Sequence, residues 1–181
     1  CGKPVAAMTD GDESMEHARL LPGDIEELAR KVVEANIAAG RKVALAESCT
    51  GGLVAAAITE IAGSSAVLDR GFVTYSNEAK IESLGVSPDI IDTFGAVSIA
   101  CVWAMAQGAL KHSRADVAVA ISGIAGPGGG TPLKPVGTVV FARATRNDGA
   151  KPEGELKLFA DMNRAEVRRQ AALCALELLL P

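Results

Sequence analysis

The sequence predicts a three-layer α/β/α sandwich built on a mixed sheet. Segments of helical periodicity alternate with short apolar β-rich segments from residue 24 to the end. Toward the C-terminus two β-rich segments, 136–144 and 154–160, follow one another across a polar loop. That is the pattern of an antiparallel hairpin, so the sheet is mixed rather than all parallel. Composition points the same way. The chain is 49% apolar but only 3% aromatic, so its core must be Ala, Val, Ile and Leu. Small side chains of this kind let helices and sheet approach closely. A length of 181 residues suits one domain with one core, and residues 23–181 contain no internal repeat and no linker.

The elements follow in order. Residues 1–22 are polar and aperiodic and are expected to form a disordered leader. From Asp24, residues Ile25, Leu28, Ala29, Val32, Val33 and Ile37 fall on one helical stripe. Asp24 and Glu27 have the spacing of a capping box, and Gly40 supplies the stop. KVALA (42–46) reads as a short buried strand, and LVAAAITEIAG as a helix ending near Gly63. VLDRGFVTYS (67–76) is β-rich. Asn77 is then expected to cap a short helix that stops at Gly85, and Ser87-Pro88 opens another helical turn. Ser98 caps a longer helix running to about His112, and DVAVAIS (116–122) is a buried strand. GIAGPGGGTPLKP (123–135) has five glycines and three prolines in thirteen residues and cannot be regular structure. The final helix runs from about Arg164 to Leu180.

Composition also excludes several classes. A net charge of −4 argues against sequence-independent nucleic-acid binding, which needs a basic face. The four cysteines, Cys1, Cys49, Cys101 and Cys174, are dispersed, which suits a reducing compartment. His17 and His112 join no cluster with metal-ligand spacing, so no metal site is expected. No apolar run reaches the roughly 20 residues that span a bilayer, and the first residues lack the apolar segment of a signal peptide. The expected location is the cytoplasm.

Four places could carry chemistry. The first is AESCTGG (46–52), where a strand end runs into a helix. Ligands of open α/β sheets sit outside such strand ends. Ser48 and Thr50 offer hydroxyls, Gly51 and Gly52 let a ligand approach the backbone, and the new helix would offer free N–H groups to an anion. Equally, Ser48 or Thr50 could simply cap that helix. The second is RGFVTYSNEAK (70–80). With Asn77 as cap, Lys80 sits at the third helical position, at the positive end of the dipole. Such a lysine either meets an anion, acts as a base with a lowered pKa, or is merely solvated. The third is the glycine-rich loop with Gly123, Gly126, Gly128 and Gly129, which matches neither a Walker A motif nor G-x-G-x-x-G. It is either a backbone nest for a phosphate or carboxylate, or a turn. The fourth is NRAEVRRQ (163–170), where Arg164 and Arg168 share a face at a helix start. They await an anionic ligand, or pair with Asp161 or Glu166. With one histidine in the leader and the other at a helix end, a serine nucleophile with a lysine base fits the available residues better than a Ser-His-Asp triad. Cys49 looks like a packing residue beside the turn.

AESCTGG, RGFVTYSNEAK, GAVS (95–98) and ISGIAGPGGG…KPVGTV together resemble the C-terminal domain of the competence/damage-inducible CinA proteins. That family includes stand-alone nicotinamide-nucleotide amidases. The resemblance covers about residues 24–180 and is to the stand-alone form. It implies an anticodon-binding-domain-like α/β/α sandwich, a homodimer or larger homo-oligomer, and no metal or organic cofactor. The implied reaction is hydrolysis of the carboxamide of nicotinamide mononucleotide to nicotinate mononucleotide and ammonia, in pyridine nucleotide salvage. By motif, Ser48 would be the nucleophile and Lys80 its partner, with Tyr75, Ser122 and Arg164 supporting catalysis or binding substrate. Two departures stand out. Met162-Asn163 replaces the family's Gly-Asp before Arg164, and Ser122 stands where many members have threonine. The main rival reading is a nucleotide-binding or regulatory module tied to competence or DNA damage. A second is another amidase or a phosphate-ester hydrolase using the same residues. Having both Ser48 and Lys80 favours an enzyme, because a sensor needs neither.

Overall fold

The computed structural model describes residues 20–146 and 153–181. The leader expected over 1–22 therefore lies outside the described residues except for its last three, and so does His17. The elements are α1 (Gly23–Ala38), β1 (Val43–Glu47), α2 (Leu53–Thr59), β2 (Leu68–Val73), α3 (Asn77–Leu84), α4 (Pro88–Phe94), α5 (Ile99–Lys111), β3 (Val117–Gly123), β4 (Thr138–Thr145), β5 (Glu153–Leu158) and α6 (Arg164–Leu178). The sheet order is β2-β1-β3-β4-β5. β1 pairs in parallel with β2 and β3, while β3–β4 and β4–β5 are antiparallel. The mixed sheet and the C-terminal hairpin are as the sequence predicts.

Strand alternation divides the core in two. Val43, Leu45, Val117, Val119 and Ile121 face a layer made by α1, α2 and α6. Ala44, Ala46, Ala118, Ala120 and Ala142 face α5, with Leu84 and Ile91 closing the layer from α3 and α4. Alternation places the branched side chains on one face and alanines on the other. The alanine face lets α5 lie close on the sheet. α3 comes equally close to α5: a Cβ added to Gly108 would lie 2.0 Å from the Leu84 carbonyl oxygen. Only glycine at 108 permits that approach, and it fixes the height of α3 above the strand ends.

Several helix boundaries differ from expectation, each for a local reason. α1 starts a residue earlier, at Gly23, with no side-chain cap. Asp24 instead pairs with Arg169 of α6, and Glu27 with Lys31 one turn on. α2 stops at Thr59, and a 3-10 turn at Ser64–Ala66 follows Gly63, whose φ is 86°. α3 is capped by Ser76, whose hydroxyl accepts from the Ala79 N–H, so Asn77 is the first helical residue and Lys80 the fourth. Ser98 caps α5 as expected. In α6 Asn163 forms a full capping box with Glu166. The Met162-Asn163 departure thus keeps a side-chain acceptor at the cap.

Among the described residues no helix is long and apolar enough to cross a membrane, and no three His, Cys, Asp or Glu side chains are grouped to hold a metal ion.

Candidate active site

The carboxyl ends of β1, β2 and β3 lie side by side, with Glu47 opposite Val73 on one flank and Ile121 on the other. The chain leaves β1 through α2 on one face, then passes from β2 to β3 over the other face. β1 is therefore the point at which a crevice opens in a doubly wound sheet. A cavity of about 230 Å³ lies there. Its polar lining is Ser48, Tyr75, Asn77, Lys80, Ser122 and Arg164, and Ala96, Val97 and Ala125 form an apolar wall.

The Ser48 turn is held from both sides. The Ser48 N–H donates to the Ile121 carbonyl at 3.0 Å, and the Gly51 N–H to the Ser48 carbonyl at 3.0 Å. Gly51 and Gly52 take φ of 62° and 93°, where a side chain would be strained. The buried Glu47 carboxylate accepts from the Gly52, Val54 and Ala55 N–H groups at 2.9, 3.2 and 2.9 Å. This corrects two expectations. The start of α2 is not free for a ligand, because Glu47 occupies it. Neither Ser48 nor Thr50 caps α2; its cap position is Gly52. On the other side, Arg168 donates to the Cys49 and Thr50 carbonyls at 3.2 and 2.9 Å.

Lys80 is 1% exposed, the largest of the fully buried side chains. Its Nζ donates to the Thr74 carbonyl at 2.8 Å, the Ser76 carbonyl at 3.3 Å and Ser48 Oγ at 3.2 Å. Burial holds its pKa below the ordinary lysine value, against the opposing pull of Cys101, Cys49 and Glu78. Cys49 has the reverse problem. Burial pushes its thiol up to about 11, so it stays protonated at neutral pH.

Arg164, the first residue of α6, reaches across the cavity mouth. It donates to the Gly126 carbonyl at 2.8 Å and to the Tyr75 hydroxyl at 2.9 Å. The carboxylates offered to it by sequence spacing are otherwise placed; Glu166 accepts from the Asn163 N–H. Ser122, at the end of β3, is 2% exposed and faces the cavity. Beside it Gly123 brings the strand against the Ser48 turn. A Cβ there would meet Val139 Cγ2 at 2.8 Å and Cys49 Sγ at 3.1 Å.

The structure thus gathers Ser48, Tyr75, Lys80, Ser122, Gly123 and Arg164 around one cavity. Thr50, Gly51 and Gly52 lie behind Ser48 and do not line it. Gly126 contributes through its carbonyl, and Gly128 and Gly129 sit on the exposed part of the loop. Two polar residues at the site escaped the sequence reading. Glu47 had a signal: a carboxylate ending a buried apolar strand needs donors, and the next helix start supplies them. Asn77 was read as a cap.

Chemically, the arrangement offers a hydroxyl beside a desolvated amine. Two backbone carbonyls take two N–H bonds of Lys80, so its remaining tetrahedral position faces Ser48 Oγ. In the neutral amine that position is a lone pair.

The model of the CinA C-terminal domain matches residues 25–181. The chain is 53% identical over 158 residues to the nicotinamide-nucleotide amidohydrolase PncC of Escherichia coli, covering 86% of this chain and 93% of that protein. Among solved structures it resembles the competence/damage inducible protein CihA from Agrobacterium tumefaciens, with a TM-score of 0.85 and 53% identity, over 89% of this chain and 96% of that one. A CinA superfamily protein from Klebsiella pneumoniae gives a TM-score of 0.80 at 41% identity, over 86% and 94%. The cavity at the ends of three parallel strands, where Lys80 of α3 meets Ser48 and Ser122, is thus found in a chain that belongs to the CinA C-terminal domain family.

Proposed function

We propose that this chain is a nicotinamide-nucleotide amidase that hydrolyses the carboxamide of nicotinamide mononucleotide to nicotinate mononucleotide and ammonia, acting in the cytoplasm. The observation that carries the reading is the buried Lys80 amine 3.2 Å from Ser48 Oγ, its pKa lowered by desolvation. The likeness to the E. coli amidohydrolase gives the substrate.

Neutral Lys80 takes the proton of Ser48 as Oγ attacks the carboxamide carbon. The carbonyl oxygen becomes an oxyanion. Of the backbone donors after Ser48, Gly51 is bonded to Ser48 and Gly52 to Glu47, while the Cys49 and Thr50 N–H groups face the weakly accepting Cys49 sulfur and are the donors that receive it. The intermediate collapses, breaking the C–N bond. The Lys80 ammonium protonates the departing nitrogen, which leaves as ammonia. Lys80, neutral again, deprotonates a water that attacks the acyl ester. The ester C–O bond then breaks, Lys80 returns the proton to Ser48 Oγ, and the acid leaves, giving up its own proton to solvent or to the released ammonia. The pyridine ring lies against Ala96, Val97 and Ala125. The phosphate reaches Arg164, whose guanidinium is held between the Gly126 carbonyl and the Tyr75 hydroxyl, with the Gly126–Gly130 loop beside it.

An ammonia-release assay with nicotinamide mononucleotide and a panel of other amides tests the reading. Release from the mononucleotide above the rest of the panel supports it. Binding of the mononucleotide without release would favour the regulatory module.

A further inference from the structure

We infer that Asn77 is the residue that distinguishes the carboxamide substrate from its carboxylate product, its Oδ1 accepting the substrate's amide N–H. The inference rests on the amidase reading and deepens it.

The polar groups of the cavity divide by what they can do. Lys80 and Arg164 carry cationic donors when protonated, and a donor serves the acid at least as well as the amide. The Tyr75 hydroxyl already accepts from Arg164. Ser48 Oγ is the attacking atom, and the Ser122 hydroxyl, which can donate as well as accept, serves amide and acid alike. An amide differs from its acid at one place: it carries N–H groups where the acid carries a second oxygen. Recognising the amide therefore takes an acceptor beside the nitrogen that leaves, and that nitrogen must end near Lys80, which protonates it.

Asn77 has that position. It lines the cavity three residues before Lys80 on α3, so the two share a helix face. The other side chains of the first turn are differently occupied. The Ser76 hydroxyl caps the helix by accepting from the Ala79 N–H at 3.0 Å. Glu78 is fully exposed, its carboxyl held low by hydrogen bonds to its own N–H and to Ser76. Asn77 does not cap the helix, and its side chain bonds no other described residue, so its amide is available to a ligand. A neutral acceptor also fits the reaction cycle. It binds the amide through a hydrogen bond and loses that bond once the nitrogen has left, which favours release of the acid.

The test measures binding without turnover. Nicotinamide mononucleotide and nicotinate mononucleotide are titrated by calorimetry into Ser48→Ala, Ser48→Ala/Asn77→Ala and Ser48→Ala/Asn77→Asp. The alanine variant should lose affinity for the amide about tenfold or more while the acid changes less than about threefold. The aspartate variant keeps an acceptor but adds a charge, so it should hold the amide and bind the acid more weakly. Loss of both ligands in proportion, or no loss of the amide in the alanine variant, would overturn the assignment. Ammonia release by the unaltered chain is followed in parallel. Its absence would sink the amidase reading, while the binding ratio still decides the role of Asn77.

Discussion

Lys80 concentrates the chemistry of the site in one titrating group. A free lysine has a pKa of roughly 10.4 and is almost wholly charged at neutral pH. Here burial lowers that value, and the neutral amine is the form that can accept the Ser48 proton. The sign follows directly. Turnover should rise with pH as Lys80 loses its proton, and the midpoint of that rise should lie below the ordinary lysine value. A pH profile of kcat checks it, and a midpoint at or above the free-lysine value would contradict the assignment. Arg164 lines the same cavity. Arg164→Ala should raise KM far more for nicotinamide mononucleotide than for free nicotinamide, because only the former carries a phosphate. An equal effect on both would count against a phosphate contact. Ser48 and Lys80 were legible in the sequence because their motifs are long and local. The acceptors that orient Lys80 were not. They are the backbone carbonyls of Thr74 and Ser76, which no side-chain pattern encodes.

At the scale of elements, the site depends on where α3 sits, and that depends on a glycine far from the chemistry. Gly108 of α5 lets the Leu84 carbonyl come close, holding α3 over the end of β1. Gly108→Ala should cost roughly 1–3 kcal/mol as an overpacked contact. Because relief means moving α3, it should lower turnover more than a surface substitution of equal destabilisation. Thermal unfolding and ammonia release, measured on the same preparation, separate the two effects. The sequence showed the helices and strands well where periodicity was strong, as in α1, α5 and β3. It misplaced caps where two candidates stood side by side. Ser76 and Asn77 are equally good caps by residue type, and only the tertiary position of the turn decides between them. Glu47 shows the same limit. It caps α2 from the preceding strand, across the Ser48 turn, outside the usual local spacing.

For the whole molecule, the two faces of the sheet have separate tasks. The branched face, under α1, α2 and α6, makes the heavier core, and the alanine face seats α5 and α3. The apolar stretch 172–180 belongs largely to the core: Ala172, Ala175, Leu176 and Leu179 are buried. The expected self-association must then use other surfaces, and Leu156, Leu158 and Phe94 remain more than half exposed. Light scattering at micromolar concentration should give a multiple of the chain mass, and a monomer would end that expectation. The central claim, that Ser48 and Lys80 act as one catalytic unit, is tested most directly by the turnover of Ser48→Ala, Lys80→Ala and the double variant. Each single change should lower ammonia release by at least about a hundredfold, with substrate binding largely kept and the double variant little worse than either. If Ser48→Ala retained most of its turnover, no acyl ester on Ser48 could lie on the path, and the account would be wrong.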